Sequence, residues 1–146
     1  PPKNVLAPWA TVKAVWPVVN LFKGNSAFMG SKKWYHRHFF NNYSKAESHL
    51  LYEATAVPES RKIARDTLLS SFATVDFSKP HAPLLFIGGS KDTIFASSFT
   101  KKIAAQYKDS NSRVNYKHFE GRSHFIAGET GWEEVAAYVL SWIKSL

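Results

Sequence analysis

Two residues of this chain have the types and the placement for proton chemistry, Asp92 and His124. Asp92 follows the apolar run Pro83-Leu84-Leu85-Phe86-Ile87 through Gly88-Gly89. His124 follows the β-prone run Arg113 to Phe119 through Gly121-Arg122-Ser123. In open α/β sheets, sites form outside the carboxyl ends of the strands. Two parallel neighbours would therefore hold an acid and an imidazole at one edge. A base and its orienter need that arrangement, with carboxylate on Nδ1–H and Nε2 left to take a proton. The competing reading is a turn aspartate and a loop histidine without a role, and composition alone favours it.

The elements that must position the pair can be read from periodicity. Residues 83–87 form a short continuous apolar run closed by glycines, the pattern of a strand buried on both faces. Phe99, Ile103 and Tyr107 share one helical face in the stretch from Ser97 to Tyr107. From Arg113 to Phe119 the side chains alternate, Val114, Tyr116 and His118 against Asn115, Lys117 and Phe119. Trp132, Val135, Ala136, Val139, Leu140 and Ile143 predict an amphipathic last helix, with Thr130 and Glu133 as its capping box. Strand, helix, strand, helix implies a parallel pair joined by a crossover. Two parallel strands need further cover, because parallel sheets are buried on both faces.

Residues 1–80 have another texture, helical, aromatic and interrupted. Val5 to Phe22 is apolar but carries Pro8 and Pro17, which predicts broken helices. Lys23 to Lys33 reads as a connector. Ser44 with Glu47 forms a second capping box ahead of Leu50, Leu51 and Ala54. Pro58 suits the first turn of a helix reaching about Phe72, and Phe77 to Pro83 is a stiff linker.

Composition narrows the function classes. With 146 residues and no Cys, the chain is no disulfide scaffold and no Cys-based zinc or iron–sulfur protein. No apolar run approaches the length of a membrane span. The net charge is +8. Eleven Lys/Arg against five Asp/Glu fall in residues 1–80, and eight against six in residues 81–146. The basicity therefore lies mostly in the first half.

Residues 83–146 resemble the C-terminal segment of the α/β-hydrolase fold. The matching features are the apolar strand, Gly89-Ser90-Lys91-Asp92 as G-x-x-D, a helix, a second strand, Gly121-Arg122-Ser123-His124-Phe125 as G-x-x-H, and the closing helix. Members often carry Pro four residues after the acid, where this chain has Ala96. The resemblance implies an α/β fold class, with two parallel strands and flanking helices over 81–146 preceded by a helical cap over 1–80. It implies Asp92 as triad acid and His124 as general base. The family nucleophile sits on a G-x-S-x-G elbow upstream of both, and this chain has no such pentapeptide. Gly24-Asn25-Ser26-Ala27-Phe28 comes nearest but lacks the second Gly, and Ser26 falls in the cap-like part.

The expected function is therefore hydrolysis of an ester or lactone by a nucleophile–His–Asp triad. Its nucleophile would come from an N-terminal segment of the same protein or from a separate chain. The start Pro1-Pro2-Lys3-Asn4, without Met, fits a chain whose domain continues upstream. A serine nucleophile would mean acyl transfer, and an aspartate would mean an epoxide hydrolase or dehalogenase. The alternative is a binding or scaffold protein built on a hydrolase remnant.

Other residues besides the pair have types that bind ligands. Trp9, Trp16 and Trp34 could line a substrate cavity, with plain cap packing as the simpler reading. Lys32 to Phe40 interleaves basic and aromatic residues, as single-strand nucleic-acid binders do, but a cap helix with a charged outer face explains it better. His36 and His38 have no third ligand candidate nearby, so neither a metal nor a cofactor is expected. His49, His81 and His118 read as satisfied or exposed histidines. The expected partners are a small-molecule substrate and the remaining half of the hydrolase, with no nucleic acid and no membrane span.

Overall fold

A computed structural model describes Pro2 and residues 4–146, so Pro1 and Lys3 of the Met-less start lie outside the described residues. The order of elements is α1 (Trp9–Val19), β1 (Ala27–Phe28), α2 (Lys32–His38), α3 (Lys45–Thr55), β2 (Glu59–Ser60), α4 (Arg61–Leu69), β3 (Leu84–Gly89), α5 (Ser97–Ala104), β4 (Val114–Phe119) and α6 (Trp132–Lys144). The fold is mixed α/β. Among the described residues there are six helices and a parallel two-stranded sheet, β3 beside β4, with Leu84 opposite Val114 and Gly89 opposite Phe119. Among the described residues, no helix is long and apolar enough to cross a membrane.

The alternation of β4 places its two helices. Tyr116 and His118 face α5: the Tyr116 hydroxyl donates to the Ser97 carbonyl at 2.9 Å, and His118 Nδ1 lies 2.6 Å from Ser97 Oγ. Asn115 and Phe119 face α6, where Trp142 Nε1 donates to Asn115 at 2.8 Å and Tyr138 meets Phe119 edge-on at 5.7 Å. One helix thus covers each face of the pair.

The cover is partial, and this corrects one expectation. The run 84–87 has the composition of a strand buried on both faces, yet Leu84, Leu85, Phe86 and Ile87 are only half-buried. β4 pairs with one edge of β3, and among the described residues no strand lies beside the other edge. α6 is also rotated relative to its predicted face. It meets the sheet through Val135, Tyr138 and Trp142, and Trp132, Leu140 and Ile143 stay about half exposed. Aromatic contacts with β4 decide the helix orientation, and the periodicity counted residues that this sheet does not cover.

The helical half differs from expectation in two places. Residues 9–19 form one continuous helix although Pro17 lies inside it. Pro17 falls in the last turn, where its missing donor costs one bond, and the Arg61 guanidinium donates to the carbonyls of Pro17 and Val18. α4 begins at Arg61 with Ser60 as N-cap, three residues later than Pro58 suggests, because Glu59–Ser60 is taken up in an antiparallel clasp with Ala27–Phe28. The Ser44–Glu47 capping box forms on both arms. The Thr130–Glu133 box does not. α6 starts from Gly131 in the left-handed conformation (φ 82°), and the Arg122 guanidinium occupies the space a side chain there would need.

Candidate active site

The loops after β3 and β4 are knitted together. Ser90 N donates to the Phe119 carbonyl at 3.0 Å, and Lys91 N to the Arg122 carbonyl at 2.9 Å. Gly89 makes this approach possible, since a β-carbon there would collide with the Arg122 carbonyl. Joined in this way, the loops bring Asp92 and His124 into contact. His124 Nδ1 lies 2.8 Å from Asp92 Oδ2. A carboxylate oxygen only accepts, so Nδ1 carries the proton and the lone pair sits on Nε2. Asp92 Oδ1 accepts from the amides of Ile94 at 2.7 Å and Phe95 at 2.8 Å. Both carboxylate oxygens are thereby fixed.

The pair is sheltered. Asp92 is 10% exposed and His124 24%. Phe39 meets the imidazole edge-on at 4.9 Å, and Phe95 lies 5.6 Å away. The pair borders an apolar hollow of about 270 Å³ with Ile87, Thr100, Ile103 and Ile126. Among the described residues, Nε2 meets no hydrogen-bonding partner. A neutral imidazole held in one tautomer, with Nε2 free, can take a proton from a hydroxyl and later return it.

The other sequence candidates lie elsewhere. Ser26 is exposed, and its hydroxyl donates to the Lys23 carbonyl at 2.7 Å, with no histidine beside it. Trp9 and Trp16 are exposed on α1 and line a separate depression with Val12 and Lys13. Trp34 donates to the Ala14 carbonyl at 3.1 Å and packs against Phe28, Tyr35, His38 and Phe39. Of the three tryptophans, only Trp34 reaches the site, through Phe39.

Spacing alone did not reveal three features near or resembling the site. The first is His38, buried on α2 with Nδ1 2.8 Å from Thr93 Oγ1, next to Asp92. Thr93 places its one proton on the Arg37 carbonyl at 3.2 Å and so accepts from His38. Burial, then the charges of Arg37 and His124, hold the His38 imidazole below its ordinary range, and Asp92 opposes them. A histidine with a lowered folded pKa favours folding when neutral. Its contribution is present above about pH 6.5 and lost as pH falls through the folded value. His38→Asn keeps a donor for Thr93 and is expected to flatten the acid side of the stability profile. Urea midpoints measured from pH 7.5 downward test this, and an unchanged acid slope would contradict it.

The second is a chain of Ser97, His118 and Glu120 on the α5 face. His118 Nε2 lies 3.1 Å from Glu120, which is 85% exposed, and Ser97 also bonds the Tyr116 hydroxyl. The His118 bond, then that of Ser90, holds the Glu120 carboxyl below the usual range. A solvated glutamate orients an imidazole poorly, and Asp92 is by contrast enclosed. The third is Glu129, 2% exposed and bonded to the residue before His124. Its position between Gly128 and Gly131 gives no sign of burial, and Thr130 beside it suggests only a helix start.

No protein-family model matches the chain, and no curated protein matches it.

Proposed function

We propose that these residues supply the acid, the base and the cap of an α/β-hydrolase, and that the nucleophile stands on a segment outside the 146 residues. The observation that carries this reading is the Asp92–His124 contact of 2.8 Å at the carboxyl ends of two parallel strands, with Nε2 unpartnered. The half-exposed apolar run of β3 supports the second part. So does the groove of about 440 Å³ between Ile87, Ile126 and the uncovered face of α6, which is apolar almost throughout. Surfaces of that size and composition call for a further strand and helix against them.

The substrate class is an ester or lactone. Nε2 removes the proton of the nucleophile's hydroxyl as its oxygen adds to the carbonyl carbon. The imidazolium formed is stabilised by Asp92 and gives the proton to the departing alkoxide. Water then adds to the acyl intermediate with Nε2 taking its proton, and Nε2 returns that proton to the nucleophile's oxygen as the acyl–oxygen bond breaks and the acid is released. The helical half acts as the cap, placing Phe39 over the imidazole.

The test is an assay of short-chain p-nitrophenyl esters and aryl lactones on the assembled protein, meaning these residues together with the segment that completes the sheet. Turnover is expected, and it should fall strongly in Asp92→Asn. A well-folded assembly that hydrolyses nothing and binds small molecules instead would favour the non-catalytic remnant.

A further inference from the structure

Buried carboxylates are kept only where their hydrogen bonds are met, because an unpartnered one costs several kcal/mol. Glu129 is 2% exposed, and its partners lie on both sides of the joint between cap and sheet. Oε1 accepts from Ser123 N at 3.0 Å. Oε2 accepts from Ser123 Oγ at 2.6 Å and from Asn42 Nδ2 at 2.8 Å. Arg122 supplies a cation 4.0 Å away. Ser123 immediately precedes His124 and is itself 1% exposed.

The turn segment of residues 39–43 is held at the same place. The Phe39 carbonyl lies 3.1 Å from Ser123 Oγ, Asn42 also donates to the Gly121 carbonyl at 2.8 Å, and Thr130 N donates to the Tyr43 hydroxyl at 2.9 Å. Glu129 bonds both Asn42 of the helical half and Ser123, the residue before the imidazole. Resting on the reading above, we infer that Glu129 is a positioning residue: through Asn42 and Ser123 it makes the orientation of His124 depend on the cap being docked. A cap that lifts would release Asn42 and loosen the loop that aims Nε2.

The experiment reads the His124 Nδ1–H proton of this chain by NMR and needs no turnover. The unsubstituted chain should show a low-field resonance that exchanges slowly with water. In Glu129→Gln the amide NH₂ replaces an acceptor and points at donors. Exchange of the Nδ1–H should then quicken by about tenfold while the β3 and β4 amide signals stay in place. Asn42→Ala, at an exposed position, should quicken it in the same sense, and it decides the matter if Glu129→Gln does not fold. Unchanged exchange in either folded variant overturns the role of Glu129 and leaves the Asp92–His124 pair standing. Absence of the resonance in the unsubstituted chain overturns the pair, and this inference with it.

Discussion

His124→Ala in the assembled protein should, on the proposed triad reading, lower kcat for ester hydrolysis by roughly 10⁴- to 10⁶-fold. In the proposed mechanism the loss is large because the imidazole acts twice, taking the proton of the nucleophile and then giving it to the leaving group. Nothing nearby substitutes for it. His38 is turned to Thr93 by its Nδ1, and His118 is held between Ser97 and Glu120. The fold should survive, since His124 is 24% exposed and keeps one hydrogen bond. KM should move far less than kcat, because the imidazole works mainly in the transition state. Steady-state kinetics with matched circular dichroism checks this, and a variant retaining a tenth of the wild-type kcat would remove His124 from the mechanism.

The second large effect is on stability. Phe40 is 1% exposed and joins cap to sheet segment, stacked on Tyr35 at 5.9 Å and edge-on to Phe125 at 5.2 Å. Phe125 is next to His124 in sequence, so this contact seats the cap beside the site. Phe40→Ala removes the ring and leaves a cavity that the rigid neighbours fill poorly. A loss of about 3–5 kcal/mol in unfolding free energy is expected. Phe40→Leu should recover at least half of it, since most of the buried volume returns. Urea unfolding of the chain measures both, and a loss under about 1 kcal/mol would mean that the cap is seated by its hydrogen bonds alone.

Some of this was legible in the sequence. The parallel pair followed from one apolar run, one alternating run and a helix between them. Asp92 and His124 could be placed because each stands a few residues past such a run, behind a glycine. Local patterns carry such information. Glu129 and His38 were hidden because their partners are remote: Asn42 is 87 positions from Glu129, and Thr93 is 55 from His38. No spacing reveals a contact of that kind. The Thr130–Glu133 box misled for a related reason. The motif is local, but Arg122 fills the space beneath Gly131, and Thr130 N is taken by Tyr43. The stripe of α6 is apolar as its periodicity predicts, and Trp132, Leu140 and Ile143 within it stay about half exposed.

In the proposed reading, Asp92 and His124 serve a nucleophile on a segment outside the 146 residues. Peptide mapping of the assembled hydrolase after reaction with a fluorophosphonate ester tests it most directly. The account predicts one phosphonylated serine, outside the 146 residues, whose labelling is lost in His124→Ala. An adduct on Ser26 or Ser97, or labelling elsewhere that persists without His124, would contradict it.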